Sequence, residues 1–246
     1  AASPSLPTIA FIGGGNMASA IIGGLIHQGH PASQIEVVEP WAEAREALRK
    51  NYGIEAQAEA GPALQRAQIV VWAVKPQTFR DAAAQAKAHT QGALHLSVAA
   101  GIRSDSIAQW LGTERIVRTM PNTPALVGKG MSALYARPAV SAPERQSIEA
   151  IMATTGEFLW VDSEPQLDAV TALSGSGPAY VFYFLEAMTR AGTGMGLTEQ
   201  QAHQLAVGTF VGASELARRS DDPPSVLRQR VTSKGGTTYA ALQSME

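Results

Sequence analysis

Several residue types and patterns are missing from this chain of 246 residues, and each absence narrows what the protein can be. It contains no cysteine, which excludes disulfide bonds, a thiol nucleophile and zinc sites built from thiolates. Charged residues make up only 16% of the sequence, the net charge is -2 and no basic run occurs, so we expect no nucleic-acid partner and no anionic membrane partner. No apolar stretch approaches the roughly 20 residues needed to span a bilayer, so no membrane helix is predicted.

What remains is typical of a compact globular protein. Apolar residues account for 45% of the chain, whose length suits one large domain or two modest ones. The opening segment, Ala1–Pro7, has neither the basic start nor the apolar run of a signal peptide, so we expect a short loose arm there. Together with the lack of cysteine, this leads us to expect a cytoplasmic protein.

The first half of the chain alternates short apolar runs with helical patterns. The run at residues 69–74 is apolar throughout, as expected of a strand that is buried on both faces. Strands that alternate with helices in this way predict a doubly wound parallel sheet with right-handed crossovers. The predicted strands cover residues 8–12, 35–38, 69–74, 95–99 and 115–120.

The pattern changes near residue 162 and is helical from there on. Residues 179–190 form a predicted helix that is apolar almost all round, so other helices, from this subunit or another, must enclose it. Thr198 and Gln201 form a capping box for a helix reaching about Arg218. We therefore predict an α/β domain over residues 1–162 and an all-helical domain over residues 163–246.

A glycine-rich turn joins the first strand to the first helix. Gly13 allows a tight turn, Gly15 lets a pyrophosphate approach the backbone, and the small Ala18 lets the helix pack against the sheet. The phosphates would lie on the amides at the helix N-terminus, near Asn16 and Met17. The alternative is a turn that serves packing alone. In its context of strand, helix and second strand, the turn predicts a Rossmann-like dinucleotide-binding domain.

Glu39 stands at the end of the second strand, where a carboxylate can accept hydrogen bonds from the hydroxyls of the adenine-side ribose. The same carboxylate would repel a 2'-phosphate, so we predict a preference for NADH over NADPH, with Arg45 as a group that could relieve the repulsion. The alternative is a solvated glutamate before the turn residue Pro40.

Three segments lie at predicted carboxyl ends of strands, where ligands of such sheets collect. Each also has a local explanation as a strand end or a turn, but three at one edge predict a wall for ribose and nicotinamide. The predicted cofactor contacts in these segments are Val74, Lys75, Ala99, Ala100, Gly101 and Asn122.

The segment from Ser233 to Thr238 places a glycine pair, Gly235 and Gly236, at the start of a terminal helix. Free amides at a helix N-terminus suit a carboxylate, although a plain helix cap is the alternative. A similar loop, 174–178, precedes the apolar helix and is either a tight turn or a substrate-lining segment through Ser176. The histidines show no ligand spacing, so no metal site is predicted.

The helical half contains only His203 and Lys234 as conventional bases, and we expect His203 to be a packed or solvated helix residue. A hydroxyacid dehydrogenase needs a base to remove the alcohol proton, whereas a protonated cyclic imine is already electrophilic. The pattern therefore favours imine reduction. Two alternatives stay open: a 3-hydroxyacid-type dehydrogenase, and a non-catalytic redox sensor that binds the dinucleotide without turnover.

Several motifs, in order along nearly the whole chain, resemble pyrroline-5-carboxylate reductase. The two motifs of the second half are the most specific of them. The motifs are residues 11–18 (FIGGGNMA), 74–76 (VKP), 120–124 (MPNTP), 168–180 (DAVTALSGSGPAY) and 231–238 (VTSKGGTT).

The resemblance implies reduction of Δ1-pyrroline-5-carboxylate to L-proline with NADH or NADPH, the last step of proline synthesis. It implies that residues 233–238, including Thr237, hold the substrate, with the Thr238 hydroxyl near the ring nitrogen. It also implies a homodimer with interlocked helical domains, often assembled further into a decamer of five dimers. The family commonly has proline or another residue where this chain has Lys234, so we assign Lys234 no role.

Overall fold

The structure is a computed structural model that describes residues 6–246, so most of the predicted N-terminal arm lies outside the described residues. Its first part is built on a sheet of seven strands in the order β2-β1-β3-β4-β5-β6-β7. The strands are β1 (Ile9–Ile12), β2 (Ile35–Val38), β3 (Ile69–Trp72), β4 (Leu94–Ser97), β5 (Ile116–Met120), β6 (Gly130–Ala136) and β7 (Gly156–Trp160).

Strands β1 to β5 are parallel, as the sequence predicts, and each predicted strand is present with its ends shifted by at most two residues. The sequence analysis missed β6 and β7. β6 runs antiparallel to β5, with Thr119 opposite Leu134, and β7 runs parallel to β6. The sheet is therefore mostly parallel, with two reversed strands at one edge.

Helices cover both faces of the sheet because successive residues of each strand point to opposite sides. On β1, Phe11 belongs to one buried cluster together with Ile22 of the first helix, whereas Ile12 belongs to a second cluster that includes Phe79. This two-sided core confirms the doubly wound architecture. It also fixes the carboxyl ends of β1, β3 and β4 side by side at one edge of the sheet.

The helices follow the strands in the predicted alternation, and the predicted capping box of Thr198 and Gln201 is formed in both directions. A second capping box, between Ser141 and Glu144, starts a helix that the sequence analysis missed. The helices are α1 (Asn16–His27), α2 (Ala42–Tyr52), α3 (Phe79–Ala86), α4 (Ser104–Leu111), α5 (Ala142–Ala153), α6 (Gln166–Val170), α7 (Gly177–Gly194), α8 (Glu199–Arg219), α9 (Pro224–Arg230) and α10 (Thr237–Met245).

The chain divides into two compact units, one ending at Pro178 and the other covering Ala179–Glu246. The first unit ends with α6 and a π-helical turn, Thr171–Gly175. The second unit consists of helices, and large apolar side chains of α7 and α8 are exposed on it. The predicted domain boundary between residues 162 and 163 stays a prediction.

Candidate cofactor and substrate sites

The glycine turn after β1 fits directly against the backbone that follows β3. Gly13 has φ +99°, and its amide donates to the Val38 carbonyl oxygen at 2.8 Å. A Cβ at this position would lie 2.3 Å from the carbonyl oxygen of Ala73. Because these neighbours are backbone atoms, only glycine fits, as the sequence predicts for the first residue of the turn.

The N-terminus of α1 opens into free space. Gly15 is its N-cap, no side chain caps the helix, and no atom lies within 4 Å of the place where a Cβ would be. The first amides of a helix have no intrahelical partner, so those that follow Gly15 suit a phosphate. Ala18, the third position of the motif, is fully buried, which lets the helix pack closely on the sheet.

A cavity of about 730 Å³ extends from this turn along the carboxyl ends of β1 to β4. This volume is in the range of cofactor pockets. Its wall also includes unpredicted residues of α3, such as Asp81 and Gln85. The predicted cofactor residues in its wall are Gly13, Gly15, Asn16, Met17, Glu39, Val74, Lys75, Ala99 and Ala100.

Glu39 lies in the wall of the cavity at the end of β2. Burial raises the pKa of its carboxyl group, while the Arg45 charge and hydrogen bonds from the amides of Gly14 and Trp41 act in the opposite direction. Arg45 Nη1 donates to the carbonyl oxygens of Glu39 at 2.9 Å and of Pro40 at 2.7 Å. The arginine therefore braces the backbone of this segment.

The loop after β3 rests on a buried aromatic cluster. Trp72 stacks on Phe79 with ring centroids 5.0 Å apart, and its Nε1 donates to His95 Nδ1 at 2.9 Å. Burial, followed by the Arg115 charge, lowers the pKa of His95 to about 4, so the ring accepts this bond as a neutral imidazole. Lys75, by contrast, is exposed at the cavity wall.

Asn122 and Gly101 are the two predicted cofactor residues that are not in the cavity wall. Asn122 Nδ2 donates to the Ser174 carbonyl oxygen at 3.1 Å, and its Oδ1 accepts from the Met131 amide at 2.9 Å. The side chain thus ties the end of β5 to the start of β6 and to the π-helical turn. A role of Asn122 in cofactor contact stays a prediction.

The loop predicted to include Ser176 follows the π-helical turn. The Ser176 amide donates to the Thr171 carbonyl oxygen at 2.8 Å, which closes the turn before α7. Such π-helical turns interrupt regular helices and often occur at functional sites. The loop therefore has a structural role in ending the turn, and its contact with substrate stays a prediction.

The predicted substrate segment, residues 233–238, lies in the second unit at the start of α10. Gly235 has φ +74°, and the Gly236 amide donates to the Ser233 carbonyl oxygen at 3.0 Å. Gly236 is the N-cap of α10 and no side chain caps the helix. The amides of Thr237 and Thr238 therefore begin a helix with its positive dipole end towards solvent, as a carboxylate site requires.

Sequence reasoning missed part of the cavity wall. Trp41, 63% exposed, and Ala58 also line it. Trp41 lies two residues after Glu39, so the predicted position of Glu39 could have indicated that Trp41 also lines the cavity. Ala58 follows Gln57, which forms a parallel bridge with Val38, and no local pattern predicts that long-range pairing.

Comparisons with known proteins place the chain in a family. Residues 164–246 match the family model described as pyrroline-5-carboxylate reductase dimerisation, and residues 8–101 match the model described as NADP oxidoreductase, coenzyme F420-dependent. A pyrroline-5-carboxylate reductase of Pseudomonas aeruginosa is 46% identical over 98% of this chain and 89% of the relative. The chain belongs to the pyrroline-5-carboxylate reductase family.

Solved structures agree with this membership. The pyrroline-5-carboxylate reductase of Coxiella burnetii matches with a TM-score of 0.89 and 36% identity, covering 98% of this chain and 90% of the other. The pyrroline carboxylate reductase of Plasmodium falciparum, solved with NADP bound, matches with a TM-score of 0.87 and 28% identity, covering 97% and 89%. The resemblance noted in the motifs is thereby confirmed.

In the part of the chain that the structure describes, no helix is both long and apolar enough to cross a membrane. Within residues 6–246, no group of three or more histidine, cysteine, aspartate or glutamate side chains is arranged to hold a metal ion.

Proposed function

We propose that the protein reduces the C=N bond of Δ1-pyrroline-5-carboxylate to give L-proline, with NADH or NADPH as the hydride donor. The observation that carries the proposal is the open glycine turn at the head of the cavity in a chain 46% identical to a pyrroline-5-carboxylate reductase. The reaction adds one hydride to the imine carbon and one proton to the ring nitrogen, so a secondary amine and the oxidised nicotinamide result.

The cofactor half of the site is proposed to act by positioning. The first amides of α1, beyond Gly15, would hold the pyrophosphate, because no side chain caps them. The nicotinamide half extends towards Ala99 and Ala100, whose small side chains leave room for a ring in the cavity. When bound, the nicotinamide would supply the hydride, and the cavity wall at Ala99 and Ala100 would orient its ring for the transfer.

The substrate half of the site is proposed to lie at the start of α10. The Thr237 amide, with the Ser233 hydroxyl, binds the carboxylate, and the Thr238 hydroxyl orients the ring nitrogen. Gly236 contributes as the N-cap of α10, since its own amide donates to the Ser233 carbonyl oxygen. Gly235, with its positive φ, shapes the turn, and the uncapped N-terminus of α10 supports an anion at this place. Ser176 lines the ring.

This chemistry needs little from a general base. The ring nitrogen of the imine arrives protonated, so the acceptor carbon is electrophilic before hydride transfer. Between residues 163 and 246, the sequence contains only His203 and Lys234 as conventional bases. His203 lies within α8, and Lys234 lies in the turn before α10. The set of residues suits an imine better than an alcohol, whose oxidation requires proton removal.

We further propose that Glu39 makes NADH the preferred cofactor. Its carboxyl group lies in the cavity wall at the end of β2, where the adenine-side ribose of a dinucleotide is held in such folds. A 2'-phosphate at this place would meet the carboxylate. Arg45, whose guanidinium is bound to two backbone carbonyls, would have to give up those bonds to relieve the repulsion.

The family model for dimerisation supports a homo-oligomer, and we propose a homodimer, assembled further into a decamer of five dimers. The second unit exposes large apolar side chains that a single copy leaves in solvent. These side chains include Phe182 (60% exposed), Tyr183 (72%), Leu205 (59%), Val211 (66%) and Leu216 (60%). Sedimentation would distinguish the dimer from the decamer.

We also propose that the reaction takes place in the cytoplasm, a compartment that fits a sequence without cysteine.

The direct test follows NADH absorbance after addition of the imine to purified protein. We expect NADH consumption that requires the imine, with L-proline as the product. Binding of NADH without consumption would indicate the redox sensor instead. Turnover with a small 3-hydroxy acid and NAD, but none with the imine, would indicate the hydroxyacid dehydrogenase.

A further inference from the structure

A partly buried carboxylate outside the cavity joins three elements of the first unit. Glu164 Oε2 accepts from the Ser104 amide at 2.6 Å and from Arg118 Nη1 at 2.8 Å, and Oε1 accepts from the Ser104 hydroxyl at 2.6 Å. The side chains of Glu164 and Arg118 are 19% and 8% exposed. Despite burial, which raises the pKa, the bonds from Ser104 and Arg118 leave the pKa of Glu164 below its usual value.

The position of Ser104 connects this carboxylate to the cavity. Ser104 is the first residue of α4, which has no side-chain cap of its own, so Glu164 caps the helix from 60 positions away in sequence. The segment just before Ser104 carries Ala99 and Ala100, which form part of the cavity wall. The cap therefore fixes one end of the segment that we assign to the nicotinamide half.

The position of Glu164 connects the same carboxylate to the loop before α7. Glu164 lies two residues before α6, which continues into the π-helical turn that ends at Gly175. Asn122 also holds the π-helical turn, because its Nδ2 donates to the Ser174 carbonyl oxygen. Arg118, the charge partner of Glu164, lies on the same strand that leads to Asn122.

We propose that Glu164 is a positioning residue, which holds the cavity wall at Ala99–Ala100 and the π-helical turn in one fixed relation during hydride transfer. It touches neither cofactor nor substrate. The inference rests on the proposed function, since it concerns how accurately the nicotinamide and the ring are aligned. A displacement of about 1 Å at such a site can lower the rate about a hundredfold.

The chain offers a closely matched control in Glu144. Its carboxylate also caps a helix N-terminus, through the Ser141 amide at 3.0 Å, and also accepts from an arginine, Arg115 Nε, at 2.7 Å. Its side chain is 20% exposed, close to the value for Glu164. Arg115 immediately precedes β5, so this group lies at the opposite edge of the sheet from the cavity.

The test compares Glu164→Gln with Glu144→Gln in the full-length protein. Both variants should lower the melting temperature, because each leaves an arginine without its counter-charge. Only Glu164→Gln should lower kcat, by about tenfold or more, with the Kd for NADH within about threefold of wild type. The primary deuterium isotope effect on kcat with NADH dideuterated at C4 should rise, because hydride transfer becomes slower.

Equal kcat in wild type and Glu164→Gln, with a melting temperature lowered as in Glu144→Gln, would overturn the inference and leave a purely structural ion pair. If Glu164→Gln does not fold, Glu164→Asp keeps the charge but shortens the reach to Ser104, and the same fall in kcat at unchanged Kd is expected. Imine-dependent NADH consumption by the wild type tests the proposed function separately, so the two failures are distinguishable.

Discussion

Replacing Gly15 by alanine should separate cofactor binding from folding. The new methyl group would meet no protein atom within 4 Å, and Gly15 has φ -78°, which alanine adopts without strain. Alanine is a poorer N-cap than glycine, so the free energy of unfolding should fall by about 1 kcal/mol or less. The methyl would instead occupy the space in which the pyrophosphate approaches the amides of α1.

The magnitude of the binding loss follows from the hydrogen bonds at stake. A hydrogen bond to a charged group contributes about 1.5–3 kcal/mol, so displacing one phosphate contact should raise the Kd for NADH by about 10- to 150-fold. Fluorescence titration with NADH measures the Kd, and urea unfolding measures the stability. Gly53→Ala is the control. Gly53 is the C-cap of α2 with φ +68°, so alanine strains the backbone there, and the residue is not part of the cavity wall.

The two variants should have opposite effects on stability and on NADH binding. Gly53→Ala should lose about 1–2 kcal/mol of stability from left-handed strain, with the Kd for NADH unchanged. Gly15→Ala should lose affinity and little stability. A Gly15→Ala protein that binds NADH as wild type does would refute the assignment of the α1 N-terminus to the pyrophosphate.

Three further predictions concern other parts of the site and the core. Glu39→Ser should raise kcat/KM with NADPH relative to NADH by removing a carboxylate from the ribose position; an unchanged ratio would exclude Glu39 from cofactor selection. Thr238→Ala should lower kcat/KM for the imine by about 5- to 150-fold, the effect of one hydrogen bond of about 1–3 kcal/mol, and undiminished kcat/KM would disprove its role. His95 has a folded pKa of about 4 against an ordinary value of 6.5. Its contribution to stability is therefore complete above pH 6.5 and falls as the pH drops towards 4, by about 2 kcal/mol at pH 5. Urea unfolding at pH 7 and pH 5 should show a smaller loss in His95→Gln than in wild type, and equal losses would contradict the assignment.

Local patterns explain which elements could be predicted from the sequence. β3 is apolar throughout because both of its faces are buried, and the capping box of Thr198 marks the start of α8 within its own turn. The same signal, Ser141 with Glu144, was present before α5 but was not used. β6 was missed because its sequence, GMSALYA, is rich in small residues and lacks a strong strand pattern.

The geometry of the glycine turn was predictable because it is local. The turn itself requires glycine at Gly13, and the structure leaves free space at Gly15, whereas contact of either residue with a cofactor stays a prediction. The partners of Asn122 lie 9 and 52 positions away, and the Glu164 cap spans 60 positions. No short-range pattern carries such information, because these contacts exist only after the sheet has assembled. The cavity wall beyond Glu39 depends on the same long-range pairing.

Isotope tracing of the product tests hydride transfer from the nicotinamide to the imine carbon most directly. The purified protein would be incubated with Δ1-pyrroline-5-carboxylate and NADH dideuterated at C4, and the proline formed would be analysed by mass spectrometry. We predict proline that carries one deuterium at the ring carbon that formed the C=N bond. Absence of deuterated proline under conditions in which the protein binds NADH would contradict hydride transfer to this imine.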